Sequence, residues 1–160
     1  TLDNIFRARS LVVVLDGLQD PGNAGAIVRA AEAFGASGVI FIKGSAGAWH
    51  PKTLRASAGS LFRIPSLNAA DPEIVLAAFA QRRVKLFAAV AHNGALAHEQ
   101  DLMRPCGIVI GSEARGVSAR FAEVSAPIRI ATSGVESLNA SVAAAVLLYE
   151  AASQRRLGKK

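Results

Sequence analysis

Cysteine is nearly absent from this chain: Cys106 is the only one in 160 residues. A disulfide, a zinc cluster or an iron–sulfur cluster held by one copy is thereby excluded, and a reducing cytoplasm is the expected compartment. A long apolar run is missing too. The nearest approach, 138–149, contains Asn139 and Ser141 and stops at Glu150, short of the roughly 18 to 20 uncharged residues that span a bilayer. It reads as a buried helix, and no membrane association is expected. The chain starts Thr1-Leu2-Asp3-Asn4, with neither an initiator methionine nor a signal-peptide layout, and is expected to be a piece of a longer protein. Acidic residues are missing between Glu32 and Asp71, where Lys43, Lys52, Arg55 and Arg63 all fall with Trp49 and His50 beside them. An acid-free basic stretch carrying an aromatic suits a polyanion, nucleic acid before membrane. A solvated basic surface is the alternative reading.

What is present fits one globular domain. Hydrophobic residues make up 51% and charged ones 19%, with a net charge of +6, too apolar for disorder and ample for a core. The β-branched run 11–15, ended by Asp16-Gly17, predicts a strand buried on both faces. Loop and helix-start residues at 20–23 lead into a helix over 24–34 stopped by Gly35, and a second strand follows at 39–42. That is a βαβ unit with parallel strands. The pattern recurs as a helix over 71–81, strands at 85–90, 107–110 and 128–130, and a long helix over 138–154. The expected domain covers 11–156, with 1–10 a remnant or linker and 157–160 a basic tail. The last helix carries Leu138, Val142, Ala145, Val146, Leu147, Leu148 and Tyr149 on more than one stripe. Such a helix needs cover nearly all round, from its own sheet and a second subunit, or from a domain removed with the rest of a larger protein.

Three segments stand at predicted strand ends, where open parallel sheets bind ligands. In the first, Gly17 and Gly22 have Walker spacing, but Asn23-Ala24 replaces the required Lys-Ser or Lys-Thr, and no G-x-G-x-x-G follows the strand. Nucleotide hydrolysis and dinucleotide binding are therefore excluded there. Asn23 at the helix start and Arg29 six residues on remain, with a structural ion pair the plainest use of the arginine. The second, Ile110-Gly-Ser-Glu-Ala-Arg-Gly116, places Gly111 where a ligand could approach backbone and Glu113 where it could face a cation. A plain turn is the alternative. The third crowds Glu136, Ser137, Asn139 and Ser141 at the start of the most apolar helix, more polar residues than capping requires, and helix starts suit anions.

In order, N-x-G-x-x-x-R-x-A-x-x-F-G, I-G-S-E-x-x-G and V-E-S-L-N-x-S-V-A-A-A resemble the three signature motifs of the SpoU (TrmH-like) branch of the SPOUT methyltransferases. The segment 50–65, beginning His50-Pro-Lys, is similar to one typical of ribosomal-RNA members. The resemblance implies a parallel-sheet α/β/α SPOUT fold with a deep C-terminal trefoil knot, and a homodimer. It implies S-adenosylmethionine-dependent methylation of a ribose 2′-hydroxyl in RNA, ribosomal RNA first and transfer RNA second, with no metal.

Residue by residue, the resemblance assigns Arg29, Asn23, Glu113 and Asn139 to catalysis, and Val90, Ala91, Gly111, Ile130 and Leu138 to the cofactor. Ser137 would help hold RNA phosphate, and Lys52, Arg55 and Arg63 form the expected RNA surface, with Trp49 or Phe62 available to stack a base. Phe62 is equally suited to the core. Two departures stand out: Ala131 replaces a usual proline, and the loop to Val135-Glu136 is one residue shorter than common. The family's proposal makes the arginine a base. A guanidinium with a pKa above about 12 is better suited to orient a phosphate and the 2′-oxygen and to stabilise developing charge, leaving the proton to phosphate or water. Two other classes compete: an RNA-binding module without catalysis, and a flavodoxin-like domain, for which a phosphate loop and an acidic cluster are missing.

Overall fold

The run 11–16 lies in the middle of a sheet because its side chains are apolar on both faces. In the computed structural model, which describes residues 1–158, it forms β1 (Leu11–Asp16) and pairs in parallel with β2 (Gly38–Ile42) on one side and β6 (Cys106–Gly111) on the other. With β3 (Ser66–Ala70), β4 (Lys85–Ala89), β5 (Ala95–Leu96) and β7 (Ala126–Arg129), the order is β3-β2-β1-β6-β4-β7-β5, and each pairing is parallel. Alternate residues point to opposite faces. Leu11, Val13 and Leu15 join one core with Ile27, Val28, Leu147 and Leu148, while Val12 and Val14 join another with Ile5, Val75, Phe79 and Phe121. Helices α2 (Pro21–Ala33) and α6 (Ala140–Leu157) cover the first face. Helices α1 (Leu2–Ile5), α4 (Pro72–Gln81) and α5 (Ala119–Ala122) cover the second. Helix α3 (Pro51–Ala56) packs on α2, where Gly25 leaves room for Thr53 and Ala56. This is the expected α/β/α sandwich.

Several local expectations need correction. Residues 1–10, expected as a remnant or linker, pack onto the domain: Ile5 is buried against Gly38, Phe6 meets Phe79 edge-on at 4.8 Å, and Asp3 pairs with Arg82. Helix α2 starts at Pro21, because Asp20 caps it by accepting the Asn23 N–H at 2.9 Å. Helix α6 starts at Ala140 rather than 138, because Asn139 is its cap, and it continues to Leu157, where a basic tail was expected; Lys159 and Lys160 of that tail lie outside the described residues. Strand β3 was not expected: Ser-Leu-Asn-Ala-Ala lacks β-branched residues, and it is held as an edge strand with an irregular register against β2. Strands β4 and β7 end at Ala89 and Arg129, one residue short of Val90 and Ile130. No helix of the described residues is long and apolar enough to cross a membrane.

Candidate active site

The loops that follow β1, β4, β6 and β7 all leave the carboxyl edge of the sheet. Strand β1 connects outward to β2 and β6 lies on its other side, which makes the gap between their ends a topological switch point. Ser112 and Gly116 close a tight turn there through paired backbone bonds of 3.0 and 2.8 Å. The buried Asp16 pins the far end of the same loop by accepting the Ser118 N–H at 2.7 Å. Gly111 is required by this turn: a Cβ on it would collide with the backbone of Gly116 and Val117. The turn reading weighed for this glycine therefore accounts for it, and Gly111 also lines the cavity described below.

Glu113 is carried by that turn back over the start of α2. Its carboxylate accepts the Gln19 N–H at 3.2 Å, the Asp20 N–H at 3.3 Å and the Asn23 side-chain amide at 3.2 Å. Partial burial pushes the Glu113 carboxyl up, but hydrogen bonds from its own backbone, Gln19, Asn23 and Asp20 outweigh it and hold the group below the ordinary carboxylate value. Asn23 in turn accepts the Asn139 amide at 3.2 Å. Asn139 Oδ1 accepts the Ser141 N–H and hydroxyl at 2.9 and 2.7 Å and the Val142 N–H at 3.4 Å. One chain of bonds, Glu113–Asn23–Asn139, thus ties together all three segments singled out from the sequence.

Beside this chain lies a cavity of about 620 Å³, lined by 89–92, 110–113, Gly116, Ile128, Ile130, Thr132, 136–140, Ala143 and Leu147. Its volume is that of a pocket for a drug-sized ligand. Ile110, Ile128 and Leu147 make a buried inner wall, while Glu113, Glu136, Ser137 and Asn139 give a polar rim. Val90, Ala91, Gly111, Ile130 and Leu138 all line it, as do Glu113, Ser137 and Asn139. Ile130 does so despite Ala131 after it. His92, Ser112 and Thr132 were not anticipated, since a loop residue gives no periodic signal. Gln19 and Asp16 were also missed, although the strand-ending Asp-Gly and the following turn were visible.

The basic residues are distributed differently. Arg29 does not line the cavity; it is exposed on α2 and its side chain makes no hydrogen bond or ion pair among the described residues. The structural ion pair weighed for it is therefore absent, and exposure removes the desolvation cost that would have required one. Lys52 lies over the start of α2, its ammonium 3.5 Å from Asp20. Arg55 is exposed and makes no ion pair among the described residues. Arg63 forms a fork on Glu32, at 2.6 and 2.8 Å. Its hydrogen bonds, then those from Ser60, hold the Glu32 carboxyl down at about 2. Phe62 is exposed, not core. His50 caps α3, its Nδ1 accepting the Lys52 N–H.

With this geometry in view, residues 10–149 match the SpoU rRNA Methylase family. A protein of Mycolicibacterium smegmatis named as an uncharacterized tRNA/rRNA methyltransferase is 38% identical over 151 residues, covering 93% of this chain and 48% of that relative. The chain thus spans about half the length of the curated relatives it matches. Among solved structures, the SpoU methyltransferase AviRb from Streptomyces viridochromogenes, in complex with AdoMet, superposes with a TM-score of 0.92 at 34% identity, covering 99% of this chain and 66% of that one. An RNA 2′-O ribose methyltransferase superposes with a TM-score of 0.84 at 38% identity, covering 94% and 58%. Motif order, sheet topology and the matched span agree: the chain belongs to the SpoU rRNA methylase family.

Proposed function

We propose that the chain is the catalytic domain of an RNA 2′-O-ribose methyltransferase that uses S-adenosylmethionine, with ribosomal RNA as its substrate and transfer RNA as the second candidate. The observation that carries this reading is the Glu113–Asn23–Asn139 chain at the rim of a cavity whose inner wall is apolar. Such a wall suits an adenosine, and carboxylates at the rim suit a cationic sulfonium. AdoMet in the related AviRb structure supports the same assignment. When bound, the donor supplies an electrophilic methyl. The protein's part is then to bring a ribose 2′-oxygen in line and assist loss of its proton.

In this reading Val90, Ala91, Gly111, Ile130 and Leu138 hold the donor. Glu113 acts as a positioning residue, because its oxygens are already taken by Gln19, Asp20 and Asn23. Asn23 and Asn139 fix the rim, and Ser137 offers a hydroxyl to RNA phosphate. Arg29, exposed and free of protein partners among the described residues, takes an RNA phosphate and stabilises charge developing on the 2′-oxygen, remaining cationic throughout. The proton passes to phosphate or water.

Two copies pair, in the same proposal, through α6. Val142, Val146 and Tyr149 are exposed on it and form an apolar groove with Ala26 and Phe34, a surface of the kind that marks an interface. The unpaired, buried Cys106 suits a reducing cytoplasm. The C-terminal trefoil knot belongs to the same set of proposals, supported by the superposition on SpoU structures.

Incubation with total RNA and methyl-labelled donor, followed by mapping of alkali-resistant linkages, tests the reaction. Methylation of a 2′-oxygen removes the internal nucleophile, so each labelled position should resist cleavage. Label on a base, or none in RNA, would reject the reading; label confined to transfer RNA would select the second substrate.

A further inference from the structure

Trp49 and Phe62 are 58% and 72% exposed, with ring centroids 6.2 Å apart and planes tilted by 44°. Leaving two large aromatics in water is costly. Trp49 is fixed between the buried Ala48, whose N–H donates to Asn68 at 2.9 Å, and the helix cap His50. Phe62 ends a 3₁₀ turn (Ser60–Phe62) entered through two successive left-handed residues, Ala58 at φ 48° and Gly59 at φ 83°. Its neighbour Leu61 is buried. Both rings are therefore presented outward from anchored backbone.

Their surroundings are basic. Lys43 and Arg55 are exposed and unpaired among the described residues, and Lys52 lies on the same loop-and-helix segment. No acidic residue occurs between Glu32 and Asp71; Glu32 and Asp20, from outside that stretch, pair with Arg63 and Lys52. The segment leaves β2 at the carboxyl edge of the sheet and returns to the amino edge to enter the parallel strand β3, with Phe62 four residues before that strand. Lys52 reaches Asp20, whose N–H is bonded to Glu113. An exposed aromatic pair on a segment that also carries Lys43, Lys52 and Arg55 fits a base bracketed by phosphates. Only an unpaired base can leave its stack to lie on such rings, since a duplex offers phosphates and 2′-hydroxyls but no base faces.

We infer that Trp49 and Phe62 form a stacking platform for an unpaired base of the substrate RNA, with Lys43, Lys52 and Arg55 on the flanking phosphates, so that the enzyme selects single-stranded or loop RNA. The inference rests on the RNA methyltransferase reading and adds the structural class of the substrate.

Trp49 is the chain's single tryptophan, so its emission reports on the platform directly. A single-stranded oligoribonucleotide should quench it saturably, and a blunt duplex of the same sequence should not. Trp49→Ala with Phe62→Ala should raise the KM for RNA by on the order of tenfold or more while kcat at saturating RNA is retained, and Trp49→Phe should restore KM to about twofold of wild type. Far-UV circular dichroism and donor affinity, which do not involve these rings, establish that the variants are folded. Equal quenching by duplex and single strand, or an unchanged KM in the double variant, overturns the inference. So does an emission shift that follows protein concentration without RNA, which would assign the pair to a protein contact. Failure of the wild-type chain to methylate any RNA would instead reject the underlying reading.

Discussion

Asn23 is the residue at which three distant segments meet. Its backbone N–H starts a helix on Asp20, its amide NH2 holds Glu113, and its carbonyl takes Asn139. Arg29, six residues further along α2, is positioned by the same helix, but its side chain has no partner among the described residues. Arg29→Lys is therefore expected to fold normally and bind the donor with unchanged affinity. Its turnover should fall by on the order of a hundredfold, since an ammonium cannot reproduce the planar fork on a phosphate; calorimetry and single-turnover methylation measure the two separately. Gly111→Ala acts in the opposite way. Its Cβ would enter the backbone of Gly116 and Val117, so a loss of stability of about 3 kcal/mol is expected in denaturant melts.

The Glu32–Arg63 pair provides a pH signature. The Glu32 carboxyl lies at about 2 against an ordinary 4.5. A depressed folded value means that the stabilisation is complete above the unfolded value and is lost as pH falls through the folded one. The difference in melting temperature between wild type and Glu32→Gln should be constant above about pH 4.5 and close as the pH falls toward 2. A difference independent of pH would remove the ion pair as its cause.

Among elements, α6 does two jobs. Its buried side, Ala144, Leu147, Leu148 and Ala151, covers the sheet, and its other side exposes Val142, Val146 and Tyr149. Val146→Asp leaves the first side untouched and places a charge on the second. It should convert dimer to monomer in analytical ultracentrifugation with the far-UV spectrum preserved; a wild-type monomer would contradict the pairing surface. Elements with strong local patterns were legible from sequence. The run 11–15 is apolar whichever way its side chains point, and Asp71-Pro72 starts a helix that runs to Gln81 as expected. Strand β3 was not legible, because Ser66-Leu-Asn-Ala-Ala70 has no β-branched residue and its Asn68 serves the neighbouring loop by accepting the Ala48 N–H. Nor was α1, whose four residues are fixed by packing of Ile5 and Phe6 rather than by propensity. The site was legible as three segments, but not as a network: the Glu113–Asn23 bond joins residues 90 positions apart, and no local signal reports it. Arg63 illustrates the converse, since a basic residue in an acid-free stretch is neutralised by Glu32 from just before that stretch.

At the scale of the whole molecule, a parallel sheet sends its variable loops to one edge, and here that edge holds the cavity and the Asn23 junction together. The central claim is that the cavity between 89–92, 110–113 and 136–140 is the donor site. Calorimetric titration of S-adenosylmethionine into the wild-type chain and into Leu138→Arg tests it most directly, with Trp49→Ala as the control outside the cavity. One donor bound per chain in wild type and control, and none in Leu138→Arg with its fold intact by circular dichroism, is the expected result. Undiminished binding by folded Leu138→Arg would place the donor elsewhere and contradict the assignment.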